Sequence, residues 1–240
     1  MLVIDNPHNY VMVGCDASGL EARMEAHYCY NFEGGIEYAH ELLEGDVHKN
    51  NAVLFGLAKS IEECTDQQRD DSKPVKYGAT YGAQAGKIAE TMGCSLKKGQ
   101  AIFDAFWDGN TALKGFRDHC VAQWKQRGGK NGGYLIGLDG RKVRTRSEHS
   151  LVNCMFQSAG TIVVKTATCY LFNKWVPKFS LDAHLVLHFH DEYNAIVHKK
   201  DVDQYAKLAA LAFVKAGEFW KLNVPLDGEA KIGRDWSEVH

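Results

Sequence analysis

The sequence predicts an α+β fold, and three observations carry that prediction: a β-prone run near the start, a long helical middle, and a β-rich hairpin followed by a helix near the end. That order builds one sheet from both ends of the chain. With 240 residues, 45% of them hydrophobic, the chain is long enough to bury a core in one large domain or two small ones, which excludes a disordered chain.

The first run, Val11 to Cys15, is short and β-prone and ends in Asp16. After the turn-prone Ser18-Gly19, residues 20 to 28 read as a helix, so Asp16 lies where strand gives way to turn. From Tyr38 to about Gly128 the pattern is mostly helical, with a helix from Ser95 to Trp107 and a break at Gly109-Asn110. Residues 125 to 133, KQRGGKNGG, read as a loop or hairpin connection and a boundary. Apolar residues from Leu151 to Tyr170 keep the spacing of a long packed helix, which Pro177 is expected to close. Leu185 to Phe189 and Tyr193 to Val197 form a hairpin with His190, Asp191 and Glu192 at its tip, and a helix from Val202 to Phe219 follows.

The formal net charge of −2 gives no global attraction to nucleic acid, so any such contact must come from a local basic surface. The densest one is Arg141, Lys142, Arg144 and Arg146, which taken alone suits a solvated loop. Seven scattered cysteines, none in a C-x-x-C pair, read as reduced thiols of a cytoplasmic protein. Asp5 and Pro7 interrupt the apolar stretch a signal peptide needs, and no run reaches the length of a membrane span.

Asp16 and Asp191 each sit at the end of a β-prone run, so a shared sheet brings two carboxylates to one edge, where hard divalent cations find oxygen ligands. Ordinary turn aspartates would read the same way. The segment from Arg69 to Gly82 adds a second feature: steps of four residues place Arg69, Lys73, Tyr77 and Tyr81 on one broad helical face, two cations followed by two rings. Phosphates suit the cationic end and a base or sugar the aromatic end. A solvated amphipathic helix is the plain alternative. Pro74 removes an amide donor, which is tolerable if the helix begins close to Ser72, and Arg69 would then precede it.

DASGLE at 16–21, RxxxKxxxYGxxYG at 69–82 and HDE at 190–192 resemble, in order, the three polymerase motifs of the family A (DNA polymerase I type) DNA polymerases. The likeness extends to Gly45-Asp46-Val47-His48, Leu138 to Lys142, Asn153 to Gly160 and Gly233 to His240, covers nearly the whole chain, and is strongest toward bacteriophage replicative polymerases. It implies a right-hand polymerase fold: part of the palm at 1–40 and 134–240, helical fingers at 41–133, and neither thumb nor exonuclease domain. It also implies that Asp16, Asp191 and the backbone carbonyl of Ala17 hold two Mg²⁺, with Glu192 in support. Arg69, Lys73 and His48 would meet the triphosphate of an incoming deoxynucleotide, Tyr77 its sugar and base, Tyr81 the templating position, and Glu21 the space of a ribose 2′-hydroxyl. Arg141, Asn153 and Gln157 would touch primer–template DNA, and His190 the primer terminus.

The implied activity is template-directed DNA synthesis. The missing upstream parts imply a second polypeptide carrying thumb, remaining palm and exonuclease, or else an incomplete relic; Met1 favours a gene product. A non-catalytic DNA-holding subunit and a metal-dependent nuclease are the competing classes. The nuclease leaves the nucleotide-binding helix unexplained. If phage-encoded, the protein would work in the host cytoplasm.

Overall fold

The computed structural model describes residues 6–240. The expectations resting on Met1 and Asp5 lie outside them. The chain divides into two compact units: one holds the residues up to Arg23 together with Ala159–His240, and the other spans Met24–Ser158.

The first unit is built on an antiparallel sheet of four strands in the order β4-β5-β1-β6: β1 (Tyr10–Ala17), β4 (Ala183–Phe189), β5 (Glu192–His198) and β6 (Gly228–Gly233). Its two central strands come from opposite ends of the sequence, paired from Tyr10↔His198 to Asp16↔Glu192. β6 is a finding that corrects the expected sheet of one strand plus a hairpin. Its sequence GEAKIG is poor in β-branched residues and forms a strand because β1 offers it a ladder, Met12↔Gly233 to Ala17↔Gly228. The tip of the β4–β5 hairpin is only His190-Asp191, since Glu192 already pairs with Phe189.

One sheet face packs on helix α10 (Val202–Trp220), where Tyr193 stacks on Phe213 at 5.1 Å and donates its hydroxyl to the carbonyl of Ala209 (2.6 Å). The other face meets the short helix α11 (Trp236–Val239), with Met12 and Val239 buried together. Both faces are therefore covered, and Met12, Val13, Gly14 and Cys15 are all buried instead of alternating. Gly14 is required here: a Cβ would come within 2.7 Å of Asn194 Oδ1 and 3.0 Å of Val239.

Helix α8 (Leu151–Thr168) continues as a π-helix (Cys169–Trp175) and a last turn, α9 (Val176–Lys178), so Pro177 lies inside the end of the run instead of closing it. The turn is closed by Phe179 N–H to the carbonyl of Trp175 (2.9 Å) and Leu181 N–H to that of Val176 (3.0 Å), bonds that do not call on a proline donor.

The second unit is helical: α2 (Gly35–Glu44), α3 (Val47–Leu54), α4 (Asp66–Thr80), α5 (Ala85–Thr91), α6 (Leu96–Gly109) and α7 (Thr111–Gln126), with a small hairpin of β2 (Tyr134–Ile136) and β3 (Lys142–Arg144). Helix α1 (Leu20–Cys29) and α8 contain the two division points. Phe116, Tyr28 and Phe156 form a cluster of three mutually stacked rings (centroids 5.1, 5.6 and 6.1 Å apart), and Trp124, Phe106 and Leu113 are fully buried in the same unit. The break between α6 and α7 falls at Asn110, as its sequence predicts.

Helix α4 departs from expectation. It begins at Asp66 and not near Ser72, because Thr65 and Gln68 form a reciprocal capping box that satisfies free amide donors at its start. Arg69 is thus within the helix, and Pro74 stands in its middle. The buried face carries Ser72, Val75, Lys76, Ala79 and Thr80. Arg69, Lys73, Tyr77 and Tyr81 lie on the accessible side.

Candidate functional site

In the first unit, five expected site residues come together at the end of the β1–β5 ladder. Asp16 is the exposed residue near the end of β1, and it pairs across the ladder with Glu192 and on its other side with Glu229. The amide of Ala17 donates to the carbonyl of Asp191 (3.2 Å), which fixes Asp191 beside the strand that carries Asp16. His190 leads into this turn with φ 50°, a left-handed conformation that costs a non-glycine residue about 1 kcal/mol or more. A cavity of about 180 Å³ opens here, bounded by Asp16, His190, Asp191, Glu192 and Lys231 among others.

The electrostatics are those of crowded carboxylates. Burial, then the nearby charges of Asp191 and Glu192, push the Asp16 carboxyl up to about 6, against the opposing pull of the Ala17 amide and Lys231. Glu192 is buried and held: its Oε1 accepts from the Asn194 side chain (2.5 Å) and its Oε2 lies 2.6 Å from Nδ1 of His240. Of the carboxylates that line the cavity, that leaves Asp16 and Asp191 open to a cation. Among the described residues no group of three or more His, Cys, Asp or Glu side chains is arranged to hold a metal ion. The fit to divalent cations rests on this pair, whose mutual repulsion a bound cation relieves. Glu21 lies in the first turn of α1.

In the second unit, α3 and α4 gather the other candidates. Asp46 caps α3 through the amides of His48 and Lys49 (3.2 Å each) and accepts from Arg69 Nε at 2.7 Å. Lys73 pairs with Asp70 at 2.7 Å. Hydrogen bonds from these cations hold Asp70, and Asp46 in spite of its burial, below the usual carboxylate range. Burial and the cations Lys76, Arg69 and Lys73 push His48 down to about 4, so its ring is neutral at pH 7. Its ring centroid lies 5.7 Å from that of Tyr77, which is 6.3 Å from that of Tyr81. The rings of Tyr77 and Tyr81 remain about 40% exposed. A neutral histidine, two cations and two accessible rings thus share one surface.

Asn153 and Gln157 stand one turn apart on α8, and Arg141 lies in the β2–β3 connection, clamped by Asp139 (2.6 Å). Lys142, Arg144 and Arg146 are exposed, and Lys142 caps the ring of Tyr134 at 4.7 Å. Sequence reasoning misses the parts played by Asp46, Asn194 and Lys231, because each acts through a partner distant in the chain. The seven cysteines are free, and no helix of the described residues is long and apolar enough to cross a membrane.

Comparison with known proteins settles the family. The family model for DNA polymerase family A matches residues 1–238. The chain belongs to DNA polymerase family A. Among relatives of this family A chain, the DNA-directed DNA polymerase of Enterobacteria phage T3 is 31% identical over 96% of the chain, and DNA polymerase I of Pseudomonas aeruginosa is 27% identical over 98%. The chain spans 34% of the length of the phage enzyme and 26% of the bacterial one. The polymerase domain of Pol1 from M. smegmatis, solved with DNA primer-template and dNTP, matches the whole family A chain with a TM-score of 0.83 at 21% identity, and 42% of that structure is covered. The α+β architecture is therefore that of part of a family A polymerase domain, helices with an antiparallel sheet.

Proposed function

We propose that this family A chain carries the catalytic part of a DNA polymerase and adds deoxynucleotides to a primer 3′ end on a DNA template. The observation that carries the reading is the pairing of Asp16 with the Asp191-Glu192 turn across one ladder, with Asp16 pushed up to about 6 by burial and by its neighbours. Such a site favours cations. Asp16, Asp191 and the carbonyl of Ala17 would hold two Mg²⁺, which would supply activation of the attacking hydroxyl and charge stabilisation of the leaving pyrophosphate. Glu192, fixed by Asn194 and His240, keeps the turn in place.

The residues of α3 and α4 bind the nucleotide. Arg69 and Lys73 exchange their carboxylate partners for phosphate oxygens, and neutral His48 donates one hydrogen bond. Tyr77 faces the sugar, Tyr81 the templating position, and Glu21 excludes a 2′-hydroxyl. Arg141, Asn153 and Gln157 contact the primer–template duplex and His190 the primer end. Residues 1–40 and 134–240 serve as palm and 41–133 as fingers. The reading includes a second polypeptide that supplies thumb, remaining palm and exonuclease; the open edge of β4, with Leu185 exposed, supports it.

Primer extension by Asp191→Asn tests the assignment. Nucleotide addition is expected to vanish while primer–template affinity stays within about severalfold, because affinity comes mainly from phosphate contacts. Robust synthesis by the variant would remove Asp191 from the chemistry. Extension by the chain alone, as processive as in a mixture with candidate partners, would remove the second polypeptide.

A further inference from the structure

One pair of charges in the helical unit is buried where charge is costly. Glu25 on α1 and Lys76 on α4 are 2% and 3% exposed, and Lys76 Nζ donates to Glu25 Oε2 at 2.8 Å. The second carboxylate oxygen, Oε1, accepts from the hydroxyl of Tyr38 on α2, itself buried. Three helices therefore meet at one carboxylate. Replacing such a pair by apolar side chains of similar volume is often neutral or stabilising, so stability is a weak reason for it, and a fixed orientation is the better one.

Helix α4 needs orientation from outside. Pro74 has no N–H to give the carbonyl of Asp70, which interrupts the ladder between the cationic half and the aromatic half. The cationic half is pinned by Ser72, whose hydroxyl reaches the carbonyl of His48 at 2.7 Å. Lys76, one turn further along the buried face, pins the aromatic half. It directly precedes Tyr77, and its Nζ stands 5.5 Å from the centre of that ring, so the anchor and the ring it serves are in contact distance of each other's field.

We propose that Lys76 is a positioning residue for Tyr77: its buried bond to Glu25, braced by Tyr38, sets the rotation of the C-terminal half of α4 and with it the ring that faces the nucleotide sugar. The proposal rests on the placement of Tyr77 given above and adds a determinant of sugar selectivity to it.

The test compares the wild-type chain with Lys76→Met and with the pair Glu25→Leu/Lys76→Met. The pair, made in a Tyr38→Phe background so that no buried hydroxyl is left without its acceptor, removes both charges without stranding one, and its thermal melting is expected to match or exceed the wild type. It therefore decides the matter if Lys76→Met alone fails to fold. In chain carrying ring-¹³C tyrosine, the Tyr77 resonance, identified by its loss in Tyr77→Phe, is expected to shift in the paired variant. The ratio of dideoxy- to deoxynucleotide incorporation is expected to change by about threefold as the ring leaves its set position, the order of one lost ring contact. An unmoved Tyr77 resonance in the folded paired variant overturns the proposal whatever the ratio does. A moved resonance with an unchanged ratio overturns the selectivity role if Tyr77→Phe does alter the ratio. If Tyr77→Phe leaves the ratio unchanged as well, the positioning role stands and the placement of Tyr77 at the sugar falls.

Discussion

Replacing Asp16 by Asn should make the protein more stable while disabling it. A carboxyl raised from 3.8 to about 6 in the folded state binds its proton more tightly there than in the unfolded chain. The folded state gains from this below pH 4, where both states are protonated and the charge is absent, and it loses the gain as the pH rises through 6. Above pH 6 the native protein carries a charge that its surroundings disfavour. The rise from 3.8 to about 6 corresponds to about 3 kcal/mol at full value. Asp16 is an exposed residue, however, and solvent screening discounts that to about 1 kcal/mol. Asp16→Asn, neutral at every pH, should therefore gain about 1 kcal/mol over wild type at pH 8 and nothing at pH 4. Urea unfolding of both proteins at the two pH values, without added metal, measures this. Added Mg²⁺ should close the gap at pH 8 by stabilising only the wild type. A variant less stable than wild type at pH 8, or an advantage equal at both pH values, would refute the account of a crowded carboxylate site.

Four further substitutions have outcomes that can be measured. Tyr77→Phe removes a phenolic hydroxyl that, if Tyr77 faces the sugar as proposed, would take the place of a missing 3′-hydroxyl, so competition assays should show stronger discrimination against dideoxynucleotides, and Glu21→Ala should change the ribonucleotide-to-deoxynucleotide ratio. Pro74→Ala restores a donor in mid-helix on an exposed position of α4, and should raise stability in denaturant melts by about 1–3 kcal/mol. Gly14→Ala drives a methyl group against Asn194 and Val239, and should cost about 1–3 kcal/mol and loosen the Asn194 bond that holds Glu192, seen as lower melting temperature together with lower activity.

Much of this molecule is legible in the sequence where signals are local. The Val11 to Cys15 run, the hairpin and the Val202 helix all appear at their expected places, because β-branched clusters and helical periodicity report burial directly. The start of α4 is equally local, since Thr65-x-x-Gln68 is a capping box, and its two reciprocal bonds outweigh the argument from Pro74. β6 is illegible for the opposite reason: GEAKIG has no strand preference of its own and is recruited by an open ladder on β1. The site divides the same way. The shared face of the α4 series can be read from spacing and the order of the three motifs from their resemblance to the family, whereas the hold of Asp46 on Arg69 and of Asn194 and His240 on Glu192 depends on which strands and helices become neighbours.

The pairing of Arg69 with Asp46 and of Lys73 with Asp70 sets the terms on which any anion is received. These cations are not vacant charges awaiting a counter-ion; each already has one, at hydrogen-bonding distance and at no translational cost. A chloride or a single phosphate gains little by ousting a tethered carboxylate. A chain of linked phosphates, by contrast, can displace both carboxylates in one arrival and spread its own ordering cost over several bonds. Exposed pairs of this kind contribute little, so under the proposed function the threshold that the acids set is a low one. The same acids offset much of the long-range attraction that bare cations would exert, so capture depends on close fit and not on drift down a field.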